Sequence, residues 1–411
     1  MDILLISVVF PFPIDAGGSV GTHKMIDYLR SNHTLTLVCP ESTIENEKAL
    51  SSLWPDVKIV VFSMPKMPSD KISFKKIIKR FTVSSKISKE EVFKKFMVLQ
   101  TTDLTNYYFE NLIQIVQKLT QEESFDLIQV EFIDIAPIVH FLPRNIPKVF
   151  VHHEIRHKRM LLEYNTLLHK SDSDVWKIEN IKLLEVALLN KFDKVICLSN
   201  LDKASLIEDG IEPQKLIVSP LPIDIIEHEI NVPFVFENRL VYLGPEVHFP
   251  NLDAVDWFLN NCWERLKIKN SHLVFDIIGK WSTKTIASYS HFQGVNFVGF
   301  VDDLSEIMKG AIMIVPLRIG SGMRMKILEG VSWNMPIIST TIGAEGLPMQ
   351  HTQNCFIADS SLEFIVSISD LAQNEKLQGQ FVENSRILIK EGFSTKVCGE
   401  KRKEIFKNLL K

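Results

Sequence analysis

Ala311-Ile312-Met313-Ile314-Val315-Pro316 is followed, after three further residues, by Gly320-Ser321-Gly322-Met323-Arg324-Met325-Lys326-Ile327-Leu328-Glu329-Gly330. The first run is short, apolar and unbroken, the pattern of a strand covered on both faces. The second is a glycine loop that opens a helix. Strand, glycine turn and helix together are the repeating unit of a doubly wound parallel sheet. The loop also carries chemistry. Its glycines leave N–H groups free at a helix N-terminus, a natural seat for an anion. Arg324 and Lys326 bring two cations to the first turn, where the helix dipole disfavours them unless an anion binds. A diphosphate would offset that cost, and Glu329, about a turn further on, suits the hydroxyls of a ribose. In the plainer alternative Arg324 and Lys326 are solvated and Glu329 pairs with one of them.

The same grammar runs outward in both directions. Apolar runs rich in Val and Ile at 3–10, 34–39, 57–62, 126–131, 148–152 and 194–198 alternate with helical stretches such as Trp176–Phe192. They recur at 239–243, 273–279, 295–298, 336–340 and 354–358. This alternation implies right-handed parallel crossovers, and two such series imply two Rossmann-like domains facing each other across a cleft. Ser219-Pro220-Leu221-Pro222-Ile223-Asp224 lies between the series, and its prolines mark a hinge. The expected division is residues 1–224 as an acceptor-binding domain and 225–411 as a donor-binding domain ending in the charged amphipathic helix 396–411.

Bulk properties bound the function. A chain of 411 residues suits two domains, and 45% hydrophobic with 23% charged residues is ordinary globular composition. The formal net charge of −4 gives no general attraction to nucleic acid. Five scattered cysteines without a CxxC pair argue against a disulfide framework or a zinc site. The run 3–10 lacks a basic leader and reads as a first strand, and no stretch approaches the roughly 18 apolar residues of a membrane span. A soluble, cytoplasmic protein is the expectation.

Five further stretches carry possible chemistry. Near the N-terminus, paired Gly17 and Gly18 follow the first strand and open a helix running to Leu29. They are either an anion-facing turn or simply permissive glycines, and the absence of GxGxxG disfavours a nicotinamide enzyme. Gly299-Phe300-Val301 ends a strand, where its backbone can meet a nucleobase; Asp302 or Asp303 next to it can cap a helix. His152 and His153 stand at the carboxyl end of another strand, where a histidine serves as proton donor, sugar-hydroxyl partner or plain structural group. Asp172-Ser173-Asp174 matches a metal-binding DxD but precedes a helix, so N-capping is the better account. In the lysine-rich region 66–95, Lys71–Phe81 sets Phe74, Ile77, Ile78 and Phe81 on one helical face. That face packs on its own domain or makes peripheral contact with the inner face of a membrane.

Taken together, the chain resembles the family 4 (group 1) retaining glycosyltransferases of the GT-B fold. The resemblance is strongest from Val241 to Pro348: Tyr242-Leu243-Gly244 with Pro250-Asn251-Leu252-Asp253, then Gly299 to Asp303, then Pro316 to Glu329, then Gly343-Ala344-Glu345-Gly346-Leu347. It implies transfer from a nucleotide-diphosphate sugar to a glycan or lipid-linked acceptor, with retention and without a metal or other cofactor. Arg324, Lys326 and His153 are then the catalytic candidates. Gly17, Gly18, Gly244, Asn251, Gly299, Phe300, Val301, Gly320, Ser321, Gly322 and Glu329 become the donor-binding ones. The residues after His153, Glu154-Ile155-Arg156, favour it over His152.

Three departures qualify the match. Ser321 stands where the family's first glutamate falls, eight residues before Glu329. Pro245-Glu246-Val247-His248 replaces the arginine and lysine that follow the glycine in many members. Thr22 and His23 stand where an arginine often follows the first glycine turn. Ser321 motivates a catalytically silent nucleotide-sugar-binding partner subunit as one alternative; a GT-B nucleotide-sugar epimerase is another.

Overall fold

The computed structural model describes residues 1–14, 17–64, 109–226, 233–301 and 303–410. The stretch Lys71–Phe81, with its expected packing or membrane contact, lies outside them, as does Asp302. Among the described residues thirteen strands form two sheets. The first sheet holds β1 (Asp2–Ser7), β2 (Thr34–Pro40), β3 (Lys58–Phe62), β4 (Leu127–Glu131), β5 (Lys148–His152), β6 (Lys194–Cys197) and β7 (Leu216–Val218), in the order 3-2-1-4-5-6-7. The second holds β8 (Arg239–Leu243), β9 (Val274–Ile278), β10 (Val295–Gly299), β11 (Ala311–Val315), β12 (Ile337–Ser339) and β13 (Phe356–Ile357), in the order 10-9-8-11-12-13. Every strand pair is parallel. The fold is α/β, two Rossmann-like doubly wound sheets.

Each apolar run contains a strand because helices cover both faces. All five residues of β4, β5 and β11 are buried, whereas the edge strand β10 alternates between half-buried and exposed. Only β7 has no apolar run of its own in the sequence reading; its three residues stand between the short helix Pro213–Lys215 and the proline-marked hinge. The helix expected from Trp176 starts four residues earlier, at Asp172. Its cap is Ser171, whose side chain accepts from the Asp174 N–H, so Asp172 and Asp174 are first-turn acids rather than the cap itself.

Strand order reverses between β1 and β4 in the first sheet and between β8 and β11 in the second. Ligands of open α/β sheets bind beyond the carboxyl ends of strands at such switch points. In the second sheet these ends carry Gly244 and the loop Gly320–Arg324; in the first they carry the turn before Gly17 and the pair Glu131-Phe132.

The chain crosses between the domains twice at one place. The Ile223 N–H donates to the Phe393 carbonyl at 2.8 Å, and the Asp224 carboxylate accepts from the Thr395 N–H at 2.8 Å and from Lys24 at 3.1 Å. Burial alone would raise the Asp224 pKa, but the Thr395 hydrogen bonds and Lys24 outweigh it and keep it lowered. Asp224 thereby caps the last helix, Thr395–Leu409, which returns to pack on the first helix, Gly17–Arg30. Tyr28 bonds Glu400 there, and Gly399 lies against the Tyr28 ring with no room for a side chain.

Candidate active site

The glycine loop after β11 leads into the helix Met325–Ser332, which places Lys326 in its first turn and Glu329 a turn later. Lys326 reaches back over β8. Its Nζ donates to Asn251 Oδ1 at 2.8 Å and to Tyr242 Oη at 3.0 Å, and sits 4.3 Å from the centre of the Tyr242 ring. Enclosure by the cleft walls, reinforced by the neighbouring Arg324 charge, brings the Lys326 pKa down to about 7. Enclosure raises the Glu329 carboxyl to about 7 against the pull of Lys326. The Glu329 carboxylate has no hydrogen-bond partner among the described residues, which leaves its oxygens open to hydroxyl donors.

Arg324 is buried, 8% exposed, and folds back on its own loop. Its Nη1 donates to the carbonyls of Ser321 and Gly322, and its Nη2 lies 3.7 Å from Glu345. Nε and Nη2 have no hydrogen-bond acceptor. Burial lowers the Arg324 pKa, with Glu345 opposing. Among the described residues these two donors of a buried guanidinium lack acceptors, an arrangement chemically able to take an anion.

The side of the loop facing the first domain is built by close approach. Gly322 has φ +77, and a Cβ there would collide with the His153 carbonyl. Gly244 faces the Asn251 side chain, 2.6 Å from where its Cβ would stand. Ser321 is buried and donates its hydroxyl across the cleft to the Ile155 carbonyl at 2.8 Å. Further along, Lys158 of the first domain pairs with Glu345 at 2.8 Å.

The two histidines part company. His152 turns into its domain, where Nε2 meets Glu185 at 2.9 Å; Glu185 also binds His157 at 2.7 Å. Burial would raise the Glu185 pKa, but its hydrogen bonds to the two histidines hold it far below the usual carboxylate range. His153 instead lies beside the glycine loop. Its Nε2 is 3.1 Å from Glu131, at the carboxyl end of β4, and its ring stacks on Phe132 at 4.0 Å and 5°. Phe132 has φ +71, a conformation that costs a bulky residue about 1–3 kcal/mol and that surrounding structure must enforce.

The remaining candidates fall where the strand ends put them. Gly299, Phe300 and Val301 follow the edge strand β10; Phe300 is 45% exposed, with Lys280 over its ring at 5.4 Å. Gly17 and Gly18 begin the first helix, as expected from their position after β1. In the altered segment after Gly244, Glu246 turns away to bind the Ser282 N–H and Thr285. His248, whose side chain reaches solvent, faces Arg159 and Glu154 of the first domain as well as Lys326 and Arg324.

Sequence reasoning gave no role to Glu131, Phe132 or His248. The rule that singled out His153, position at the carboxyl end of a strand, applies equally to Glu131. Arg318, inside the stretch Pro316 to Glu329, makes a two-point contact with buried Asp253 at 2.6 and 3.0 Å, tying the loop to the helix Phe249–Phe258.

Residues 237–374 match the family model described as glycosyl transferases group 1. An uncharacterized 44.6 kDa protein in the cps region of Klebsiella pneumoniae is 26% identical over 220 residues, and the match spans 50% of this chain and 54% of that protein. Among solved structures, the pneumococcal O-GlcNAc transferase GtfA in complex with UDP and GlcNAc superposes with a TM-score of 0.66 at 14% identity, covering 100% of this chain and 99% of the other. The Anabaena protein HepE in complex with UDP gives 0.65 at 14% identity, covering 99% and 100%. The chain therefore has the GT-B fold along its whole length.

Proposed function

We propose that this protein moves a sugar from a nucleotide-diphosphate donor to a glycan or lipid-linked acceptor, with retention of configuration and no metal, in polysaccharide or glycoconjugate biosynthesis. One observation carries the reading. At the switch point of the second sheet, two enclosed cations and a carboxylate without a hydrogen-bond partner among the described residues converge on one helix N-terminus, with two Arg324 donors lacking acceptors there. A diphosphate there satisfies Arg324 and restores the charge of Lys326, and both cations then stabilise the leaving group as the glycosidic bond breaks. Glu329 accepts the ribose hydroxyls. From β11 to β10 is three strand spacings, about 14 Å, a span suited to carrying the nucleoside toward Gly299, Phe300 and Val301. His153 faces the sugar from the first domain. Support comes also from the family model over 237–374, from relatives solved with UDP, and from the cps-region relative. UDP-sugars are the first donors to try.

The test is nucleotide diphosphate release across UDP- and GDP-sugars, with Glu329→Ala and Lys326→Ala beside the wild type. Both variants should lose most of the activity; full activity in both removes this donor site. Ser321 spends its hydroxyl on Ile155 and offers the sugar no acid, which favours a second reading, a silent donor-binding subunit. Stabilisation by a nucleotide sugar without turnover on any acceptor would select that reading.

A further inference from the structure

The last helix, Thr395–Leu409, sends one charged side chain into the first domain. Arg402 is 0% exposed; its Nε donates to Ser219 Oγ at 3.2 Å and its Nη1 to Gln129 Oε1 at 3.3 Å. Gln129, also buried, donates from Nε2 to Glu131 Oε1 at 2.6 Å. The other oxygen of that carboxylate, Oε2, lies 3.1 Å from His153 Nε2. A continuous buried line thus runs from the C-terminal helix to a histidine beside the glycine loop.

The direction of each bond follows from chemistry. A guanidinium only donates, so Gln129 must turn its oxygen to Arg402 and its NH2 to Glu131. An ionised carboxylate only accepts, so His153 must donate from Nε2. Burial would raise the Glu131 pKa, but the His153 hydrogen bond and the Arg402 charge outweigh it and hold it lowered. The ring's other nitrogen, Nδ1, has no partner among the described residues. Phe132, held at positive φ, stacks on the same ring and limits its rotation.

We propose that Arg402, Gln129 and Glu131 are positioning residues that lock His153 as the Nε2–H tautomer and present Nδ1 as an acceptor for a hydroxyl of the donor sugar. This rests on the reading of His153 as the sugar contact. The last helix, which the chain reaches only after leaving the second domain, thereby sets the chemical state of a cleft residue in the first domain, a role that packing on the first helix does not require.

Ring ¹⁵N shifts of the full-length protein labelled on histidine test this, with the His153 signals assigned by loss in His153→Gln. The neutral wild-type ring should carry its proton on Nε2. Glu131→Gln, whose amide can donate or accept, should give a mixture of tautomers. Gln129→Met keeps the side chain's bulk and leaves Arg402 on Ser219. It should shift the ring the same way and lower kcat about tenfold with donor KM within about twofold, the signature of lost positioning rather than lost binding. Arg402→Met should behave likewise; if it fails to fold, Gln129→Met decides. Unchanged His153 shifts in folded Glu131→Gln, or unchanged shifts and kcat in Gln129→Met, overturn the relay. The ring readout needs no donor, so a tautomer shift in a protein that transfers no sugar upholds the relay and sinks the transfer reading.

Discussion

Ser321 donates its hydroxyl to the carbonyl of Ile155, joining the glycine loop after β11 to the first domain across 166 positions of sequence. The residue that departs from the family pattern is thus engaged between domains. Such a bond is worth about 1 kcal/mol. Ser321→Ala should fold normally and raise donor KM by about fivefold or less. Ser321→Glu sets a carboxylate against the Ile155 carbonyl, two acceptors with no proton between them, and should lower kcat/KM by more than about tenfold. Steady-state kinetics with the best donor checks both. A gain of activity in Ser321→Glu would mean that the site still accommodates the missing acid.

The pH profile should report Lys326. Its free-enzyme pKa, lowered to about 7, means that the cation is lost as pH rises through neutrality. Glu329, raised to about 7, loses its charge as pH falls through the same region. The kcat/KM profile reports the free enzyme and should be a bell centred near 7 whose two pKa values belong to the coupled pair. Lys326→Arg keeps its charge at all working pH values, so its alkaline limb should move up by more than about one unit. An alkaline limb that stays in place would assign the titration to another group.

If Arg324 and Lys326 carry the leaving-group charge, divalent metal is not required. EDTA should leave the rate of nucleotide release unchanged. Arg324→Ala should lower kcat by about a hundredfold or more, the cost of removing one charge-stabilising donor. Loss of activity in EDTA followed by recovery with Mn²⁺ would contradict the metal-free mechanism.

Gly399 lies against the Tyr28 ring where the last helix meets the first, and a Cβ there would overlap that ring. Gly399→Ala should destabilise the protein by about 1–3 kcal/mol, as overpacking does, despite the better helix propensity of alanine. Thermal unfolding measures this directly. An unchanged or higher Tm would mean that the last helix shifts away from Tyr28 without loss.

Much of the fold was readable because parallel strands buried on both faces are written as unbroken apolar runs; β5 and β8 coincide with their expected bounds. The start of the helix at Asp172 was missed because the Ser171 cap, not the apolar period, determines it. In the loop Gly320–Glu329, glycines, cations and acid lie close enough in sequence for local reasoning to assemble them. Glu131 and His248 were given no role because neither neighbours a partner in sequence: Glu131 meets His153 across the strand pair β4–β5, and His248 lies within electrostatic reach of Glu154 and Arg159 across the cleft.

Sequence alone determined the two parallel sheets and the glycine loop that opens a helix after β11, since hydrophobic period and helix N-terminal chemistry are local properties. Only tertiary structure decided which histidine faces the cleft, where the Ser321 hydroxyl goes, and that Arg402 reaches Glu131 through Gln129. Those outcomes depend on which donors and acceptors meet when separate strands, helices and loops are buried together, and a buried polar group takes whatever partner the packing brings to it.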